Sequence, residues 1–83
     1  MVEHNVVIIY GTIWCGDCIR TRRFLDKYAV QYRWINIDED KFGEQIVLKI
    51  NRGMRSVPTI IFGDGSILVE PSNTALAQKL GIS

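Results

Sequence analysis

The sequence predicts an α/β fold with a four-stranded mixed sheet and three helices, in the order βαβαββα. Three observations predict it: a short apolar run before Gly11, two segments with helical spacing of apolar residues, and a Gly63-Asp64-Gly65 turn between two short strands. Strands that alternate with helices favour parallel pairing with right-handed crossovers, and the closing hairpin adds an antiparallel edge. One domain, 1–83, is expected because 83 residues are too few for a second hydrophobic core.

The first half of the chain supplies two strands with a helix between them. Val6 to Tyr10 is almost continuously apolar, as in a strand that is buried on both faces. From Asp17 to Ala29 the apolar residues follow the spacing of one helix face, and residues 32–37 form a second predicted strand before an acidic run. The apolar face predicted for this helix consists of Ile19, Phe24, Leu25 and Tyr28.

The second half supplies a helix, a hairpin and a last helix. The second helix is predicted to run to about Asn51, because apolar residues recur there at helical spacing. Pro58 opens a third strand at 59–62, and the Gly-rich turn joins it to a fourth at 66–69. Ser72 or Asn73 is expected to cap the last helix, which ends at Gly81. The apolar face of the second helix is predicted to comprise Phe42, Ile46, Val47 and Ile50.

Composition argues against several classes of function. The net charge of +1 gives no basic footprint for nucleic acid, and no stretch approaches the roughly 18 apolar residues of a membrane span. Glu3 and His4 stand where a signal segment would be basic and apolar, so export is not expected and a cytoplasmic location is predicted. The two cysteines and the single histidine do not supply the about four ligands of a zinc site. No metal is therefore expected, and the two thiols are predicted to react.

The segment Cys15-Gly16-Asp17-Cys18 lies between the first strand and the first helix, where a cysteine pair indicates redox chemistry. The free N–H groups at the helix start favour a thiolate on Cys15, which we therefore predict to be the nucleophile. Cys18 lies one helical turn further on and is predicted to attack a mixed disulfide on Cys15, as the resolving thiol. Two alternative interpretations are half of a zinc site and a pair of core thiols. The other ligands of a zinc site are missing from the sequence.

Neighbouring residues indicate how a partner is bound. Trp14 is either a core aromatic or an exposed rim over the cysteines, and its position at a loop apex favours the rim. Gly16 leaves room for a partner's backbone. Asp17 offsets the helix dipole and also places a negative charge near the thiolate. A cis bond between Val57 and Pro58 would turn the backbone of Val57 towards the cysteines, where it can pair with a bound peptide as a short added strand.

Taken together, these motifs resemble the glutaredoxin family over nearly the whole chain: a strand, W-C-x-x-C at a helix start, and V-P-T opening a strand with a Gly-rich hairpin. The W-C-G-x-C and D-G-S…P-S motifs are most similar to a subgroup that includes the mycoredoxins. The resemblance implies a minimal thioredoxin-like fold and an enzyme that reduces protein disulfides or mixed disulfides. It implies no tightly bound cofactor, and as co-substrate a low-molecular-weight thiol, either glutathione or an analogue such as mycothiol.

The resemblance also implies which residues hold the small thiol. The thiol would run along Val57, with its carboxylate held by Arg55 and by the start of the last helix at Ser72-Asn73. The chain departs from the family at two places. Gly16-Asp17 replaces Pro-Tyr between the cysteines, and Glu70-Pro71-Ser72-Asn73 replaces a Gly-Gly stretch with its acidic pair. These departures leave open which small thiol is the natural one.

Two other functions are compatible with the same motifs. One is a redoxin that donates electrons to ribonucleotide reductase and is recharged by thioredoxin reductase, but the chain lacks the Gly-Phe-Arg-Pro-type stretch of those proteins. The other is an iron–sulfur carrier in which two chains share a cluster, for which Gly16 leaves space; the enzyme is instead expected to be a monomer.

The first helix carries three basic residues, which form either a solvated face or a patch that steers acidic partners. They are Arg20, Arg22 and Arg23.

Overall fold

The structure, a computed structural model, describes residues 6–82 and contains a four-stranded sheet with three helices. The strands are β1 (Val7–Gly11), β2 (Arg33–Asn36), β3 (Thr59–Phe62) and β4 (Ile67–Val69), and the helices are α1 (Gly16–Lys27), α2 (Lys41–Ile50) and α3 (Asn73–Leu80). This confirms the predicted βαβαββα order. Glu3 and His4 lie outside the described residues. Within residues 6–82, no helix has the length and apolar character needed to cross a bilayer.

The sheet has the strand order β2-β1-β3-β4, and its strand directions correct one expectation. β1 is parallel to β2, but β3 is antiparallel to both β1 and β4. The prediction that strands alternating with helices pair in parallel was therefore wrong for β3. The loop 51–58 carries the chain from α2 back to the end of β1, where Thr59 pairs with Tyr10. This turn of the chain places residues 57 and 58 beside the loop that carries Cys15.

Helices cover both faces of the sheet, as the sequence predicted. On one face, Leu25 of α1 and Leu76 of α3 are fully buried against a cluster that includes Ile9. On the other face, Val47 of α2 packs in a cluster with Tyr10. Successive side chains of a strand point to opposite faces, so β1 contributes to both layers. Burial of each large apolar side chain stabilises the fold by about 1.5–3 kcal/mol.

The buried face of α1 differs from the predicted one. Ile19 and Tyr28, which were expected to face the core, are 40% and 41% exposed. The inward face consists of Cys18, Thr21 and Leu25, which follow each other at helical spacing. The prediction weighted large apolar side chains, whereas small ones face the sheet where the helix begins.

The buried face of α2 is offset in the same way. Phe42 is 86% exposed and Ile46 is 37% exposed, although both were predicted to face the core. The buried residues are Gly43 and Val47. A Cβ atom on Gly43 would lie 2.8 Å from Cγ2 of Ile35, so the glycine allows α2 to approach the sheet closely. A pattern of large apolar residues does not reveal such a contact.

The last helix has a well-defined beginning and end. Ser72 Oγ accepts a hydrogen bond from the backbone N–H of Ala75 at 3.0 Å, so Ser72 rather than Asn73 is the N-cap. At the other end Gly81 adopts the left-handed conformation with φ of 71°, as is common at helix C-termini. Both ends therefore lie where the sequence placed them.

Candidate active site

Cys15 is the N-cap residue of α1. Its Sγ accepts a hydrogen bond from the backbone N–H of Cys18 at 3.2 Å, in the position that a serine or aspartate oxygen usually fills. The side chain is partly exposed, so another molecule can reach the sulfur. An N–H donor and the positive end of the helix dipole both face this sulfur, and both interact favourably with a negative charge on it.

Cys18 lies behind Cys15 in the first turn of α1 and is 0% exposed. Burial raises the pKa of its thiol to about 12, and a hydrogen bond with Cys15 adds to the increase. The charge of Asp17 raises the pKa of Cys18 further, although it is the smallest of these causes. Cys18 is therefore a neutral, inaccessible thiol at neutral pH, whereas Cys15 is accessible.

The loop before β3 faces the cysteine pair. The carbonyl oxygen of Val57 lies 3.8 Å from Sγ of Cys15, and the Val57–Pro58 peptide bond is cis. The carbonyl of Pro58 accepts a hydrogen bond from the backbone N–H of Glu70 at 2.8 Å, which ties this loop to the end of β4. The backbone of Val57 is thus held next to the accessible sulfur.

Trp14 and Gly16 flank Cys15 on the surface. Trp14 is 68% exposed, and its indole Nε1 donates a hydrogen bond to Oδ2 of Asp38 at 3.0 Å. A Cβ atom on Gly16 would have no neighbour within 4 Å, so the space beside the sulfur is open. The indole is therefore part of the rim of the site and not of the core.

Arg55 takes part in an ion-pair network that the sequence did not reveal. Its Nη2 donates to Oδ1 of Asp38 at 2.7 Å, and its Nε donates to Oε2 of Glu44 at 2.8 Å. The hydrogen bond from Arg55, followed by the one from Trp14, holds the pKa of the Asp38 carboxyl below its usual value. In the sequence Asp38 is only one of three consecutive acidic residues, and no local motif marks Asp38 or Glu44 as a site residue.

The start of α3 is tied to α1 through Arg20. The guanidinium of Arg20 donates to Oδ1 of Asn73 at 2.7 Å and to the carbonyl of Pro71 at 2.8 Å. It also lies 3.6 Å from the carboxylate of Asp17. The structure therefore brings Asn73 next to Arg20, while Ser72 serves as the helix cap. Arg20 joins two helices as well as contributing to the basic face of α1.

Gly11 is a second residue whose role was missed. A Cβ atom at this position would lie 2.5 Å from Sγ of Cys18 and 2.8 Å from Cη2 of Trp34. The glycine therefore allows the Cys18 thiol and the Trp34 indole to pack directly on the end of β1. The guanidinium of Arg22 covers the Trp34 ring at 4.2 Å from its centroid. In the sequence, Gly11 only marked the end of a strand.

The fold and this site define a class of protein. A partly exposed cysteine and a buried one, three positions apart at the junction of a strand and a helix, form the C-x-x-C site of a thiol–disulfide oxidoreductase. The family model for glutaredoxin matches residues 7–67, and the chain belongs to the glutaredoxin family. It is a glutaredoxin-like thiol–disulfide oxidoreductase, as the sequence predicted.

The chain is also similar to individual glutaredoxins and mycoredoxins, in sequence and in structure. The chain is 38% identical over 72 residues to the Mycobacterium tuberculosis protein named "Putative glutaredoxin MT3292", covering 87% of this chain and 86% of that protein. It is 32% identical over 74 residues to mycoredoxin 1 of Corynebacterium glutamicum, covering 89% of this chain and 91% of that protein. The crystal structure of a glutaredoxin from Archaeoglobus fulgidus superposes with a TM-score of 0.72 at 28% identity, covering 96% of this chain and 87% of that one. The thioredoxin-like fold is thereby confirmed.

Proposed function

We propose that residues 1–83 act as one domain that reduces protein disulfides and mixed disulfides at the expense of a low-molecular-weight thiol. Cys15 is the nucleophile and Cys18 the resolving thiol. The observation that carries the proposal is the difference between the two sulfurs. One is accessible at the N-cap of α1, and the other is 0% exposed with a pKa raised to about 12.

The reaction proceeds by two exchanges. The thiolate of Cys15 attacks one sulfur of the substrate disulfide, the substrate S–S bond breaks, and the departing sulfur takes up a proton. Either Cys18 or a free small thiol then loses its proton and attacks the mixed disulfide. In the first case Cys15 and Cys18 are oxidised to a disulfide and the substrate leaves fully reduced; two small thiols later reduce that disulfide and are themselves oxidised to a disulfide. In the second case the small thiol forms a disulfide with the sulfur that was bound to Cys15, the bond to Cys15 breaks, and Cys15 is released as the thiolate.

Substrate binding involves the rim and the loop beside Cys15. An extended segment of the partner pairs with the backbone of Val57, which Pro58 positions, in the manner of an added strand. Trp14 contributes apolar contact area on one side, and Gly16 admits the partner's backbone. The proximity of the Val57 carbonyl to Cys15, at 3.8 Å, supports this arrangement.

The small thiol is the second substrate. We propose that Arg55, Ser72 and Asn73 contact the end of the small thiol that is distant from its sulfur. Asp17, which stands between the two cysteines in the sequence, is a further proposed contact. All four residues also have partners within the chain. Arg55 binds Asp38 and Glu44, Ser72 caps α3, and Asn73 and Asp17 both contact Arg20. The similarity to mycoredoxin 1 and to glutaredoxins supports mycothiol and glutathione as the two candidates. A monomer in the reducing cytoplasm, which supplies such thiols, completes the proposal.

One assay tests the proposal directly. Disulfide reduction is measured with glutathione, mycothiol or thioredoxin reductase as alternative electron sources, using the wild type, Cys15→Ser and Cys18→Ser. We expect Cys15→Ser to abolish reduction, and Cys18→Ser to retain turnover of mixed disulfides with the preferred small thiol. Equal loss in both variants, or alkylation of Cys18 before Cys15 in the reduced protein, would contradict the assigned roles.

The preferred electron source and the absorption spectrum together separate the other functions. Turnover supported only by thioredoxin reductase would identify a redoxin of the kind that serves ribonucleotide reductase and would reject the small-thiol mechanism. A brown dimer with visible absorption in freshly purified protein would indicate a shared iron–sulfur cluster instead. A colourless monomer that turns over with a small thiol is the expected result.

A further inference from the structure

The cation nearest in sequence to Val57 already binds two anions of the same chain. Both bonds of Arg55, 2.7 Å to Asp38 and 2.8 Å to Glu44, are short charge-assisted hydrogen bonds. Two carboxylates around one guanidinium leave one net negative charge in this cluster. In the sequence Glu39 and Asp40 follow Asp38 directly, so the segment 38–41 carries a net negative charge even with Lys41.

This acidic cluster, composed of Asp38, Glu44 and Arg55, adjoins both sides of the site. Arg55 is two residues before Val57, whose carbonyl lies 3.8 Å from the accessible sulfur. Asp38 binds Arg55 with one carboxylate oxygen and the indole of Trp14 with the other, and Trp14 immediately precedes Cys15. A substrate that runs along Val57 towards Cys15 therefore passes the acidic cluster.

We propose that Asp38 and Glu44 determine substrate charge, so that the site disfavours small thiols and disulfides with a carboxylate in the Arg55 position and accepts neutral or cationic ones. The inference rests on the proposed function and specifies its substrate class. An incoming carboxylate would have to displace Asp38 or Glu44 from Arg55, and it would meet net negative charge if it did not. A neutral hydroxyl or an ammonium group encounters neither obstacle.

Three small disulfides of similar length and different end groups test this selectivity. Hydroxyethyl disulfide is neutral, cystamine is cationic and dithiodiglycolate is anionic. The readout is the ratio of kcat/KM for the anionic substrate to kcat/KM for the neutral one, with the same electron source throughout. For the wild type we expect this ratio to be below one, with cystamine at least as good a substrate as hydroxyethyl disulfide.

Variants of the acidic cluster should raise the ratio. Asp38→Asn keeps the side-chain shape and an oxygen for Trp14, and it should raise the ratio about fivefold, the effect of one exposed charge pair. Adding Glu44→Gln frees Arg55 completely and should raise the ratio further, whereas Arg55→Gln in that background should lower it again. High salt should reduce every difference, since these charges are exposed to solvent.

Asp64→Asn is the matched control, because it changes the net charge by the same amount. Asp64 lies in the turn after β3, beyond the end of the strand opposite to Pro58, and it is paired with Lys79. Its ratio should equal that of the wild type. An equal ratio in Asp38→Asn and Asp64→Asn, both folded by circular dichroism and active with the neutral substrate, would overturn the inference. Failure of the wild type to reduce any of the three disulfides would instead refute the proposed function.

Discussion

Gly11→Ala is expected to disturb both stability and the position of the buried thiol. The added methyl carbon would lie 2.5 Å from Sγ of Cys18, and 2.8 Å and 2.9 Å from two ring atoms of Trp34. Favourable contacts between such atoms lie at about 3.5–4.0 Å, so the sulfur or the indole must move by roughly 1 Å. The sulfur of Cys18 is fully buried and has little room to move, whereas the Trp34 ring is only partly buried and is covered on one side by Arg22.

The magnitude follows from the surroundings of the added methyl group. Forcing an extra methyl into a packed interior costs about 1–3 kcal/mol. Trp34 is only partly buried and can yield towards solvent, so we expect a loss of about 2 kcal/mol in the free energy of unfolding. For a domain of this size the midpoint of thermal unfolding would fall by roughly 8–16 °C.

Urea unfolding of the reduced proteins measures the effect, with a reductant present throughout. Gly16→Ala is the control, because its Cβ would meet nothing within 4 Å and alanine is the better helix former. The control should be as stable as the wild type or slightly more stable. A Gly11→Ala protein within about 0.5 kcal/mol of the wild type would refute the packing argument, since ordinary surface substitutions have effects of that size.

Three further outcomes are expected. The pKa of Cys18 is raised in the folded state from 9.0 to about 12, so its contribution to stability is complete below pH 9 and is lost between pH 9 and 12. The unfolding free energy of the reduced wild type should therefore fall more steeply over this range than that of Cys18→Ser, as urea titrations at several pH values would show. Because Cys15 Sγ caps α1, Cys15→Ser should keep the wild-type stability while Cys15→Ala loses about 1 kcal/mol, measured by the same titrations; equal stabilities would contradict the capping role. In Trp14→Phe, fluorescence should still respond to oxidation of the cysteine pair, because Trp34 and Cys18 both adjoin Gly11; a silent Trp34 would contradict this.

Local patterns predicted the elements and the position of the cysteine pair. A C-x-x-C segment between an apolar run and a helical repeat involves neighbouring residues only, so the sequence places it without knowledge of tertiary structure. The faces of α1 and α2 could not be predicted in this way. Their inward sides carry Cys18, Thr21 and Gly43, which are small because the helices approach the sheet closely. Hydrophobic periodicity measures size and polarity, and it therefore pointed to Ile19 and Phe42.

The ion pairs around the site could not be predicted for a different reason. Asp38 is 24 residues from Trp14 and 17 from Arg55, and two other acidic residues follow it directly. Exposed ion pairs differ in free energy by about 1 kcal/mol or less, so the local sequence does not select one partner among three neighbouring carboxylates. The partner is determined by the tertiary structure, which brings the segments of Trp14, Asp38 and Arg55 together at one end of the strands.

The position of these segments relative to one another depends on the direction of β3. Because β1 and β2 are parallel and β3 is antiparallel to them, the ends of β1 and β2 and the start of β3 lie at the same edge of the sheet. The loops that leave and enter these strands carry Cys15, Asp38 and Val57. Had β3 run parallel to β1, as strand–helix alternation suggested, its start would lie at the opposite edge, about 10–13 Å away for a four-residue strand. The carbonyl of Val57 could then not lie 3.8 Å from Sγ of Cys15, so the reversed strand is what assembles the site.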